Sequence, residues 1–109
     1  MRCVWFVMTR SKSMPGSDFP GPVGTTIFVE CSLRADDIRD ALDRAEQAFL
    51  NDGYRVEHIS RCIGYDLDDW DYDDYPANSD FRQRCETLAA SDSIEFGPFC
   101  YSQNDGPVA

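Results

Sequence analysis

The chain has 109 residues, one domain's worth of sequence; a chain of this size typically buries roughly two-thirds of its unfolded surface without metal or disulfide staples. Hydrophobic residues at 42% and aromatics at 13% make a globular composition, not a disordered one. Twenty acidic residues against ten Lys and Arg leave a net charge of −10, a field that repels phosphate backbones and anionic membrane surfaces and attracts basic partners. Direct nucleic-acid binding is the first function class to exclude.

In chain order, residues 2–10 are rich in β-branched and aromatic types and too short for a helix, which predicts a buried strand. The apolar run Cys3–Met8 is shorter than a secretory core, and no small-residue cleavage site follows it. No segment approaches the roughly 18 apolar residues of a membrane span. Residues 11–24 hold three prolines and three glycines and predict a long loop. Strand character returns at Thr25–Leu33, with Ile27, Val29 and Cys31 on one face and Phe28 and Glu30 on the other. A helix is predicted from about Asp36 to Asn51. Ile38, Leu42, Ala45 and Phe49 recur at helical spacing, and Asp36, Asp37 and Asp40 crowd the first turn. Asn51-Asp-Gly53 supplies a left-handed stop.

A third strand follows from Tyr54 to Ile63, with Tyr54, Val56 and His58 on one face; its alternation slips at Ile59, which predicts a bulge near Ser60. Residues 64–78 form an aspartate-rich, aromatic-laced loop. Ser79 opens a short helix to about Ala90 that carries Phe81, Cys85, Leu88 and Ala89 on one face. Ile94–Tyr101 is a last strand, and Gly97-Pro98 within it fits an edge or a bulge; residues 104–109 are a frayed tail. The order β-β-α-β-α-β, with a helix joining two strands of one sheet, predicts a single α+β domain. Its expected form is a two-layer sandwich of one four-stranded mixed sheet with both helices on one face.

The segment Tyr65–Tyr75 stands out. Asp66, Asp68, Asp69, Asp71, Asp73 and Asp74 are interleaved with Leu67, Trp70 and Tyr72. Carboxylates this dense cannot be buried unpaired, so the loop is either solvated or matched by a basic partner. Spread carboxylates imitate phosphate spacing, and Trp70, Tyr72 and Tyr75 are the residue types that anchor interfaces. A simple solvated connection explains the charge as well, but it has no need of a tryptophan. A calcium loop on Asp69, Asp71, Asp73 and Asp80 fails in three places: Asp74 replaces the turn glycine, Pro76 interrupts the loop, and its last ligand is Asp. Acid–base catalysis needs two differentiated carboxyls, and six mutually repelling aspartates offer none.

His58 and Cys62, four apart in a strand, share a face but lie about 13 Å apart, too far to ligate one zinc ion. A pairing of His58 with another cysteine lacks an orienting third group. Five cysteines at irregular spacing, each in an apolar stretch, fit reduced thiols in the cytoplasm. Arg82 and Arg84 open the second helix beside the acidic loop and are expected to neutralise aspartates such as Asp73 or Asp80.

The run from Gly24 to Ile59 resembles a module common in small bacterial proteins: a strand ending at an acidic helix start, an Ala-rich helix, then Asn/Asp-Gly-Tyr and a return strand. Several such proteins are toxin-immunity partners in bacterial competition systems. The resemblance implies binding to one cognate, often basic, enzyme domain, for instance a nucleic-acid-active toxin; it transfers no functional residue.

The expected function is therefore non-enzymatic, without cofactor or metal: binding and neutralising a basic protein through Asp66, Asp68, Asp69, Trp70, Asp71, Tyr72, Asp73, Asp74 and Tyr75. The alternatives are a small cytosolic enzyme or thiol-dependent protein using His58 with a cysteine, and a divalent-metal module at the aspartates. A free edge strand leaves a homodimer open.

Overall fold

The computed structural model describes residues 3–69 and 80–101. Its centre is β1 (Cys3–Ser13), which runs three residues further than the sequence predicts. The extension survives because its buried hydroxyls find partners. Thr9 Oγ1 donates to Val29 O at 3.1 Å and lies 2.9 Å from Ser11 Oγ. Ser13 Oγ donates to Pro22 O at 3.0 Å and accepts from the Thr25 N–H at 3.2 Å. The Pro/Gly loop is shortened to residues 14–25, and its Phe19 packs onto the core.

On one flank β1 pairs antiparallel with β2 (Thr26–Arg34), and on the other with β3 (Tyr54–Asp66). Two short strands, β4 (Glu95–Phe96) and β5 (Cys100–Tyr101), follow each other along the outer edge of β2, giving the order β3-β1-β2-β4 with β5 also on β2. These two are the single interrupted edge strand expected from Gly97-Pro98. The Gly97 N–H donates to Glu30 O at 2.7 Å, and the register slips by one residue before Cys100. Every pairing is antiparallel, which corrects the expected mixed sheet. Because β1 lies between β2 and β3, the two strands joined by a helix run in one direction without ever being neighbours.

Helix α1 (Ile38–Asn51) starts as its aspartates dictate. Asp37 Oδ1 accepts from the Asp40 N–H at 2.8 Å, and Asp40 Oδ2 accepts from the Asp36 N–H at 3.1 Å, a reciprocal cap. It ends at Gly53, whose φ of +89° lies in the left-handed region, and a Cβ there would stand 2.6 Å from Ser17 Cα. Its buried stripe is Ala41, Ala45 and Phe49, while Ile38 faces solvent. Helix α2 runs from Asp80 to Ala89. Arg34 Nη1 donates to its last carbonyl, Ala89 O, at 3.2 Å, a cation placed where the macrodipole favours one.

Consecutive strand residues project to opposite faces, and the two cores sort accordingly. Val7, Ile27, Val29, Cys31 and Leu33 pack with Ala41, Ala45 and Phe49 of α1. Val4 and Phe6 pack with Leu67 and with Cys85, Leu88 and Ala89 of α2. The helices therefore lie on opposite faces, which corrects the expected placement of both on one face. Cys3–Val7 is apolar at every position, and such a run marks a strand buried on both sides.

Candidate functional site

The base of the acidic segment is held firmly. β3 continues past its expected end to Asp66 and passes into a single 3-10 turn, Leu67–Asp69. Leu67 is 2% exposed and packs between the sheet and α2. One residue earlier, Asp66 Oδ1 accepts from the Asp68 N–H at 2.9 Å; the Asp68 side chain is exposed. At the far end of the segment, Phe81 in the first turn of α2 stacks on Phe6 at 5.4 Å between centroids and meets Tyr65 edge-on at 5.5 Å. Both roots of the connection thus sit in one aromatic cluster. Of the predicted site residues, Asp66, Asp68 and Asp69 belong to this base; Trp70, Asp71, Tyr72, Asp73, Asp74 and Tyr75 lie outside the described residues, as does the predicted cap Ser79.

The two arginines of α2 differ from each other. Arg82 is buried at 3% exposure and meets Glu86 one helical turn on at 2.7 Å, while Arg84 reaches out to Glu95 of β4 at 3.7 Å. Neither of these two ion pairs is with Asp80; Asp73, the other aspartate expected to be neutralised, lies outside the described residues.

Four of the five thiols are poorly suited to nucleophilic work, and the fifth, Cys100, is exposed. Burial pushes Cys31 up to about 12, helped by the neighbouring Glu30, and pushes Cys85 up to about 11 against the pull of Arg84 and Arg82. Cys62 is raised by burial, and Cys3 by burial and then by Asp66. A thiolate, not a thiol, is the nucleophile. Cys31 and Cys62 flank Val7 on its two neighbouring strands, about 9–10 Å apart and beyond disulfide reach.

His58 and Cys62 do not share a face. The register of β3 against β1 slips twice, skipping Ser60 and Glu57. The predicted bulge at Ser60 is present, and it turns His58 to the face opposite Cys62; the second slip separates His58 from Tyr54 and Val56 as well. Among the described residues, no three His, Cys, Asp or Glu side chains converge on a metal position, and no helix is long and apolar enough to cross a membrane.

Those same slips assemble a surface that the sequence pattern conceals. On the α2 face, Arg61 lies beside Met8, His58 beside Arg10 and Arg55 beside Lys12, while Glu30, Phe28 and Thr26 of β2 complete the three rungs. Four of the ten Lys and Arg, with the single His, occupy this patch of an acidic protein. Phe28 is 44% exposed, and an apolar hollow of about 230 Å³ opens between it, Met8, Pro98 and Cys100. Strict alternation through β3 puts His58 with Val56; only the two bulges bring Arg55, His58 and Arg61 into one column.

Comparison with protein-family models, with curated protein sequences and with solved structures finds no match.

Proposed function

We propose that this protein is a non-enzymatic interaction module that binds, and thereby neutralises, a basic protein through the segment Asp66–Tyr75. The observation that carries this reading is the anchoring of the segment's base: Leu67 is buried while its neighbours Asp66 and Asp68 bear the charge. A rooted base lowers the entropy lost when carboxylates and aromatics are ordered against a partner. The net charge of −10 adds long-range attraction, which accelerates encounter with a basic target at low salt. The raised thiols and the separation of His58 from Cys62 count against the thiol-enzyme alternative. An inhibitor or immunity role and a cytoplasmic location belong to the same proposal; five free thiols are in keeping with a reducing compartment.

The test replaces Asp68, Asp69, Asp71 and Asp73 by Asn together and compares capture of partners from cell extract at low salt. The expected result is a single basic protein that binds the parent chain, elutes as salt is raised, and is lost by the variant. Equal retention by the variant removes the segment from the interface.

A further inference from the structure

We propose that the half of the sheet face beside α2 that no other described element covers is a second docking surface, and that it receives an acidic amphipathic helix from a protein partner. α2 covers only the Val4 and Phe6 end of its face. Beyond it, Arg10, Phe28, His58, Arg61 and Arg55 are exposed. From Met8 to Lys12 the bare strip is about 14 Å long, and three strands make it about 10 Å wide. That is room for a helix of about ten residues, the size of α2 itself.

The chemistry across the strip is graded. Its β3 side is a basic column, Arg55, His58 and Arg61, next to Arg10 and Lys12 of β1. Its β2 side sets Phe28 between Glu30 and Thr26, with the ring facing the hollow walled by Met8 and Pro98. Glu57 lies 4.0 Å from Lys12 and 3.4 Å from Arg55 and offsets those two cations. Arg10 and Arg61 have no ion pair among the described residues. An occupant that sets leucine-like side chains on Phe28 and carboxylates over Arg10 and Arg61 matches both sides at once. A phosphate polymer matches the cations but leaves the hollow unfilled; the net charge of −10 opposes either anionic occupant at long range, so the apolar contact decides between them. None of its residues belongs to the segment Asp66–Tyr75, so either proposal can fail without the other.

The experiment uses the full chain and a fluorescein-labelled synthetic helix of about 14 residues, with Leu at i, i+3, i+4 and i+7 and Glu on the flanks. Anisotropy is followed in parallel with a Glu-to-Lys version of the helix and a single-stranded oligothymidylate of similar length. The expected result is saturable, salt-sensitive binding of the Glu helix alone, with amide shifts confined to β1, β2 and β3. Combining Arg10→Glu with Arg61→Glu is expected to weaken binding roughly ten-fold or more. Arg39→Glu, an equal charge change on exposed α1, is expected to leave it unchanged. Because Arg10 and Arg61 are exposed, unchanged thermal melting verifies that the double variant folds. Equal binding of the Lys helix, preference for the oligonucleotide, or no anisotropy change up to about 1 mM overturns the proposal.

Discussion

The two faces of the sheet are built from the same three long strands and finished differently. Under α1, every rung from Trp5 to Ser13 is roofed, and even its polar members Thr9, Ser11 and Ser13 are buried with hydroxyl partners in place. On the opposite face the roof of described residues stops after Phe6, and the remaining rungs carry Arg, Lys, His, Met8, Glu30, Thr26 and one exposed Phe. The difference separates two uses of a sheet. The α1 face supplies most of the apolar burial that holds the domain together. The exposed half of the other face buries less apolar surface, and it is there that the second docking surface is proposed.

Truncation under the α1 roof tests this division most strongly. Phe49 is fully buried and meets Phe96 edge-on at 5.0 Å, so Phe49→Ala is expected to cost about 3–5 kcal/mol by urea denaturation. Leu88→Ala, on the buried side of the shorter helix α2, is expected to cost about 2–4 kcal/mol. A value for Leu88 near zero would mean that α2 is not part of the cooperative fold.

The thiols sharpen the comparison, because Cys31 lies under α1 and Cys85 is on the buried side of α2. Both are raised in the folded state, from 9.0 to about 12 and about 11, chiefly by burial. Their stabilisation is therefore complete below pH 9 and is lost at higher pH, where the unfolded chain releases protons that the folded chain retains. The slope is at most about 1.4 kcal/mol per pH unit for each thiol. Denaturation midpoints measured from pH 8 to pH 11 are expected to fall, and Cys31→Ala is expected to flatten the decline. An unchanged slope in that variant would show that its thiol is not shielded from water.

Much of this architecture could be read from residue patterns, and its limits have physical causes. The first strand, the aspartate-capped helix, the Gly53 stop and the broken edge strand follow from local rules, since each depends on residues close in sequence. The placement of α2 does not, because an amphipathic stripe of Phe81, Cys85, Leu88 and Ala89 fits either face of a sheet. Only the doubly apolar run Cys3–Val7 signals that both faces need cover. The basic patch is hidden for a different reason. Alternation is a period-two rule, and each skipped residue, Glu57 and Ser60, inverts it for every position beyond. The close pairing of Gly64 with Trp5 is equally silent in sequence. The indole, held by its N–H to Ala35 O at 3.2 Å, lies where a Cβ on Gly64 would fall, 2.8 Å from the ring.

The smallest change expected on stability is also the one that decides whether the bare half is a surface or an incomplete core. Phe28 stands on the same strand as the fully buried Ile27 and Val29, yet it is 44% exposed. If its ring packs against structure of its own chain, Phe28→Ser forfeits burial and costs about 1.5–3 kcal/mol, as for any large apolar side chain. If the ring is held out for a partner, the folded and unfolded states expose it similarly, and the change stays within about 0.5 kcal/mol. The division between the two faces requires the second result. A loss near 3 kcal/mol in urea denaturation would return Phe28 to the core. A negligible loss of stability, together with weaker binding of the acidic helix, is the combination that only a docking residue produces.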